Sequence, residues 1–220
     1  MTTYLIDKIK TIRKIDLDSK RYDITVAKNS NFFANGILVH NCQNLSRNIE
    51  EWSKLGLNFH VSEKLDGQSA SYFHNGEFGV CSKNFQKKEN DGRHWQLAKL
   101  LQLEQKLSGL NIALQGEIVG PKIQGNHYKL PIHRFYVFDI FGINSKKYFF
   151  KKDVIEFCHQ NELDYVPIVY ENMELPSLEE ILSLSDGTSK LANVPREGLV
   201  WVTEPHISFK SVSNQYLLNE

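Results

Sequence analysis

Ser62-Glu63-Lys64-Leu65-Asp66-Gly67-Gln68-Ser69-Ala70-Ser71-Tyr72-Phe73 is the stretch from which the fold can be worked out. The runs 58–63 and 69–74 on either side of Lys64-Leu65-Asp66-Gly67 are predicted strands. Lys64 therefore stands where one strand ends and Asp66-Gly67 turns the chain into the next. That placement projects its amine into a cleft. To act as a nucleophile the ammonium must lose its proton, so desolvation or nearby cations must depress its pKa.

Outward from this stretch the chain mixes strands with helices. Asn75-Gly76 is a hairpin signal, because both central positions of a type I′ turn need positive φ, and 77–82 is the returning strand. Helical periodicity runs over 92–107 through Trp95, Leu97, Ala98, Leu101, Leu103 and Leu107. Strands are predicted at 112–119, 134–141, 165–170 and 198–203, and helices near 152–161 and 177–184. Upstream, 46–55 is predicted as a helix with Ser46 as N-cap. Tyr22–Ala27 and the two runs flanking Asn35-Gly36, Asn31–Ala34 and Ile37–His40, read as short strands, the last two as a hairpin. The class is α+β.

Composition closes off other classes. The 220 residues balance 26 Lys+Arg against 26 Asp+Glu, with 41% hydrophobic and 24% charged residues. These values argue against disorder, a collagen-like fibre and a small disulfide scaffold. No apolar run reaches the 18 or so residues of a membrane span, and MTTYLIDKIKTIRK contains no signal-peptide core. Cys42, Cys81 and Cys158 are too few and scattered for a disulfide framework or a CxxC metal site. A reducing cytoplasm is expected. Cys81 and Cys158 read as core thiols, His94, His127, His133 and His206 show no ligand spacing, and the pairs Lys146-Lys147 and Lys151-Lys152 read as a solvated face. The zero net charge hides a division. Residues 1–41 carry seven Lys/Arg against four Asp/Glu, and 42–220 carry nineteen against twenty-two. An acidic second part is not the composition of a free-standing nucleic-acid grip.

Six elements follow in order: Glu63-Lys64-Leu65-Asp66-Gly67, Cys81-Ser82-Lys83-Asn84, Leu114-Gln115-Gly116-Glu117, Phe135-Tyr136-Val137-Phe138-Asp139, Arg196-Glu197-Gly198-Leu199-Val200 and Phe209-Lys210-Ser211-Val212-Ser213. A lone KxDG is weak; six collinear elements are not. Over 45–218 the chain resembles the covalent nucleotidyltransferases, that is, DNA ligases, RNA ligases and mRNA capping enzymes. The flanks SEKLDGQSASYF, LQGEIVGPKIQGN and SFKSVSNQYLL resemble ATP-dependent RNA ligases that seal duplex breaks. The resemblance implies an ATP-grasp-like nucleotidyltransferase domain with ATP as donor and Mg²⁺ as metal. Lys64 would be the nucleophile. Glu63, Asp66, Gly67, Lys83, Glu117, Phe138 and Lys210 would bind nucleotide, and Glu197 would hold the metal. In that scheme Glu117 takes the ribose, Phe138 stacks on adenine and Lys210 holds the α-phosphate. Gly67 lets backbone approach the nucleotide. Lys83 stands where many relatives have Arg, making a point charge rather than a fork. Gln215 stands where relatives often place a third basic residue. A DNA ligase, a capping-type enzyme or an inactive ligase remnant is the alternative.

Tyr22-Asp23-Ile24-Thr25-Val26 followed by Asn31-Phe32-Phe33-Ala34-Asn35-Gly36-Ile37-Leu38-Val39-His40-Asn41-Cys42 resembles the C-terminal part of an intein, a Hint segment ending at a splice junction. The residues carry the chemistry themselves. The Asn41 amide can attack its own carbonyl carbon, close a succinimide and release the downstream amine. His40 is placed as general acid or base. The Cys42 thiol can accept an acyl group as a thioester. Ser30 stands where the family usually has His. No Cys or Ser nucleophile and no Thr-x-x-His block precede Tyr22. The reading is a C-terminal split-intein segment at 1–41, with an RNA ligase nucleotidyltransferase domain at 42–220. The expected partners are an intein half fused to an OB-type ligase fragment on a separate chain, and RNA or nucleic-acid duplex ends. No membrane partner is expected. A degenerate intein is the duller alternative.

Overall fold

The computed structural model describes residues 31–34, 37–40, 45–83, 85–89, 92–204 and 207–218. The expected strand at Tyr22–Ala27 and the residues Ser30, Asn41 and Cys42 lie outside these. Strands β1 (Asn31–Ala34) and β2 (Ile37–His40) pair antiparallel, Asn31 opposite His40, as a two-stranded sheet. The hairpin register around Asn35-Gly36 is the one the sequence predicts.

Two further sheets carry the rest. The first has the order β10 (Ile168–Glu174), β3 (Asn58–Lys64), β11 (Gly198–Thr203), β12 (Ile207–Val212), all antiparallel. Phe59, Val61, Leu199, Trp201 and Phe209 are buried on one face. Helix α1 (Leu45–Lys54) lays Trp52 there, stacked 5.6 Å from Phe209, and α5 (Leu178–Ser185) adds Ile181. The second sheet runs β5 (Glu77–Ser82), β4 (Gln68–Asn75), β6 (Ile112–Val119), β7 (Arg134–Gly142), β8 (Lys147–Tyr148), with β9 (Asp164–Tyr165) parallel to β7. Its core gathers Tyr72, Val80, Leu114, Ile118, Val137 and Ile140 beneath α2 (Gly92–Leu100), α3 (Leu103–Leu107) and α4 (Lys151–Gln160). A last short helix, α6 (Asn214–Leu217), follows β12 with Ser213 as its cap.

β3 belongs to the first sheet and β4 to the second, so Leu65-Asp66-Gly67 crosses the seam between them. A third cluster fills that seam: Leu65, Val119, Tyr128, Tyr136 and Val166, with Phe138 packed beside it.

Several expectations need correcting. Helix α1 begins at Leu45, so Ser46 lies inside it and is not its cap. The periodic run 92–107 breaks at Gln102, whose left-handed backbone (φ 53) separates α2 from α3 while Leu97, Ala98, Leu103 and Leu107 stay buried. In the β4–β5 hairpin only Gly76 has positive φ (79), between paired Asn75 and Glu77. The strand expected at 165–170 divides at Pro167, which has no N–H for a ladder; β9 ends at Tyr165 and β10 runs from Ile168 to Glu174. The sequence reading omits β8, β12 and α6. Lys152 is exposed, whereas Lys151 is buried: its ammonium pairs with the Asp139 carboxylate and donates to Phe138 O (2.8 Å).

Candidate active site at the seam of two sheets

Lys64 ends β3 opposite Gly198 of β11, so Glu197 leaves the neighbouring strand level with it. The Lys64 ammonium donates to Glu197 Oε1 in an ion pair. Glu197 Oε2 is buried without a hydrogen-bond partner among the described residues. Burial pushes the Glu197 carboxyl up from its ordinary value, and the Lys64 hydrogen bond and charge pull it back. Both neighbours of Glu197 are fixed. Arg196 donates to the carbonyls of Leu184, Ser185 and Asp186 (3.1, 3.2 and 2.7 Å), covering the open C-terminal end of α5. Gly198 comes so close to β12 that a Cβ there would meet Ser211 O at 2.1 Å.

The second sheet supplies Glu117, on β6 between Ser69 of β4 and Tyr136 of β7. Its carboxyl titrates at about 7: burial raises it, Lys210 and Lys64 lower it, and Glu197 and Asp66 raise it again. That set of influences places five predicted residues in one electrostatic neighbourhood. Lys210 rises from β12 across from Val200. Gly67 is tied to the same strand, since a Cβ on it would meet Ile118 O at 2.5 Å and Glu117 Cγ at 2.7 Å. The sequence reading gave that glycine to the nucleotide; the close approach here is to β6. Phe138 is half-buried in the seam, its carbonyl held by Lys151. Lys83 is exposed just beyond β5.

Glu63 and Asp66 have partners that sequence reasoning did not find. Glu63 is buried. Its Oε2 accepts from Lys190 N (2.8 Å), while Oε1 has no partner among the described residues. Asp66 N donates to Tyr128 Oη (2.7 Å) and Asp66 Oδ2 accepts from Tyr216 Oη (2.8 Å). The His127 ring sits edge-on to both tyrosines, with centroids 5.1 and 5.2 Å away, and its Nε2 donates to Pro195 O (2.6 Å). One aromatic block thus joins the Lys64 loop, the segment that leads into Glu197 and α6. No local spacing announces it, because Tyr216 lies 150 residues from Asp66.

The arrangement offers an amine, two carboxylates of raised pKa and a second cation, on strands of two sheets. The RNA ligase family matches residues 57–213. The chain belongs to the RNA ligase family. A Naegleria gruberi RNA ligase, solved as a lysine-to-alanine variant with ATP and Mn, superposes with a TM-score of 0.79 at 32% identity. It covers 87% of this chain and 60% of its own. A lysine-to-methionine variant of it with AMP and Mn gives 0.78 at 31% identity, over 87% of this chain and 60% of that one. An apo aspartate-to-alanine variant gives 0.78 at 33%, with the same coverage. This RNA ligase family member thus spans about 60% of the length of those relatives. A forty-residue stretch, 18% of the chain, is 58% identical to 4% of the tRNA-splicing ligase RtcB of Methanocaldococcus jannaschii. Among the described residues no helix is long and apolar enough to cross a membrane.

Proposed function

We propose that this chain is the nucleotidyltransferase part of an ATP-dependent RNA ligase. Lys64 Nζ attacks the α-phosphorus of ATP, forming a lysyl-AMP phosphoramidate as pyrophosphate leaves. The lysine's proton must go first, and Glu197 Oε1 is the base in contact with it. AMP then passes to an RNA 5′-phosphate, and a 3′-OH displaces it to make the phosphodiester. Lys210 neutralises charge on the α-phosphate, Glu117 takes the ribose, and Phe138, packed against the seam cluster, offers its ring to adenine. The observation that carries this reading is the Lys64–Glu197 pair at the seam, with Glu117 and Lys210 within electrostatic reach.

A divalent ion fits the residues present. Glu197 keeps one buried oxygen without a partner, and the described residues contain no group of three His, Cys, Asp or Glu able to cage a metal alone. That suits Mg²⁺, which takes few carboxylates and completes its shell with phosphate and water. When bound it would neutralise phosphate charge.

The test is incubation with labelled ATP and Mg²⁺. The chain should gain one AMP, and Lys64→Ala should gain none while still folding, at some cost in urea midpoint because the partly buried Glu197 carboxylate loses its cation. Labelling of that variant overturns the assignment, and preference for GTP redirects it to capping chemistry.

The second part of the proposal concerns residues 1–41, taken as the C-terminal segment of a split intein that joins 42–220 to an OB-type ligase fragment. What supports it is the hairpin ending at His40, directly before Asn41-Cys42, and a family match that starts downstream at residue 57. The free thiols of Cys81 and Cys158 are in keeping with a reducing cytoplasm. Intact-mass spectrometry of the chain mixed with such a partner decides it: two unchanged chains as sole products overturn the reading.

A further inference from the structure

The ligase reading leaves unexplained how residues 42–220, with nineteen Lys/Arg against twenty-two Asp/Glu, hold an RNA strand, and the two borders of the Gly67 loop supply an answer. On one border, β5 runs back along β4 until Ser82 stands opposite Ala70, three residues beyond Gly67. The chain then makes a braced turn. Ser82 N and Oγ both donate to Phe85 O (2.8 and 3.2 Å), Gln86 bridges back to Cys81, and Lys87 N donates to Val80 O (2.7 Å). Trp95 Nε1 closes the turn by donating to Lys87 O (3.3 Å). This bracing holds Phe85 65% exposed, with Lys83 and Lys88 exposed beside it. Held in water by braced backbone, the Phe85 ring offers a face on which a base could stack.

On the other border, the chain leaves β6 at Val119, against which Gly67 packs, and turns through exposed Lys122. Arg93 of α2 reaches across and donates to Lys122 O (3.3 Å). Lysines 83, 87 and 88 thus lie on one side of the loop and Arg93 and Lys122 on the other. Exposed Glu89 follows Lys88 in the chain. Residues 42–220 as a whole carry three more acids than bases, so this concentration of cations is local.

We infer that the rim formed by Phe85, Lys88, Arg93 and Lys122 grips the unpaired end of a broken RNA strand at the mouth of the Lys64 site. The cations take successive phosphates and Phe85 stacks on an unpaired base. The single strand follows from the ring, since a base inside a duplex has no free face to offer. Recognition is indifferent to sequence, because every base has a face and every phosphate a charge. The inference rests on the ligase reading for the identity of the nucleic acid.

The experiment measures anisotropy of a short fluorescent RNA against salt, using the full chain. Lys88→Gln/Lys122→Gln should flatten the slope of log affinity against log salt by about 1.4, roughly 0.7 for each single-strand phosphate contact removed. Phe85→Ala should weaken binding about tenfold at unchanged slope, as loss of one stacked base would. The same double change at Lys146 and Lys147, exposed at the far edge of the second sheet, should leave both quantities as they were. None of these residues touches Lys64, so labelling by ATP without RNA should persist in every variant. Two results overturn the rim while leaving the ATP chemistry standing: normal labelling with no RNA binding even at low salt, and equal losses from the Lys146/Lys147 control. Failure of the unaltered chain to label, with RNA binding that still depends on the rim, overturns the ligase reading instead and supports the rim.

Discussion

Glu117 shows how a single carboxyl can be read as a pH sensor. It titrates at about 7 in the folded chain because burial outweighs the pull of Lys210 and Lys64. The unfolded chain releases that proton near the ordinary glutamate value, so between the two the native state binds more protons. The stabilisation is complete below the unfolded value and is lost as pH rises through about 7. It amounts at most to something on the order of 3 kcal/mol. Glu117→Gln removes the titration, so the variant should gain stability relative to the parent between pH 5 and pH 8. Urea midpoints at those two values check this, and an unchanged difference would show that the carboxyl titrates normally. Single residues also mark where sequence reading stops. Lys64, Glu117, Glu197 and Lys210 stand in recognisable motifs, so their meeting at one site was legible. Tyr216 and Tyr128, which hold Asp66, sit in no motif, and only the folded chain brings them within reach.

At the level of elements, the strands were legible wherever a run of alternating or apolar residues was bounded by a turn signal. The hairpins at Asn35-Gly36 and Asn75-Gly76 and the strands at 112–119 and 198–203 were read nearly to their ends. Misreadings fell where tertiary contacts override local pattern. Periodicity continues across Gln102 because both helices face the same core, and nothing local announces a left-handed residue there. The pair Lys151-Lys152 divides for the same reason. α4 starts where Glu204 Oε1 accepts from Lys151 N (3.1 Å), which drives the first lysine inward onto Asp139, in the strand that carries Phe138. Lys151→Met keeps the stem but leaves Asp139 buried without this cation, and should cost about 3–5 kcal/mol. Adding Asp139→Asn should recover much of that loss. Urea unfolding of the two variants is the measurement, and a loss under about 1 kcal/mol would show that the pair is solvated.

For the whole molecule, the fusion proposed at Asn41-Cys42 predicts a division of labour between adjacent residues. Mixed with its partner under reducing conditions, the chain should lose residues 1–41. Asn41→Ala should block that loss, because no other side chain there can close the succinimide. Cys42→Ala should prevent joining yet still allow cleavage after Asn41, since cyclisation does not use the thiol. Ser30→His should speed the cleavage. Mass spectrometry separates these outcomes, and normal splicing by Asn41→Ala would refute the scheme. The seam has a further consequence, in the order of assembly. The residues that complete the surroundings of Lys64 are far along the chain: Glu197 is 133 residues away, Lys190 is 127 from Glu63 and Tyr216 is 150 from Asp66. Closing loops of that length costs chain entropy before the contact rewards it, so the expected order is that β4 to β8 pair while the amine still lacks its carboxylate. Under the proposed ligase chemistry, a half-made chain would be kept from charging itself with AMP, because Lys64 would gain the Glu197 carboxylate only after β11, which follows Glu197, has docked.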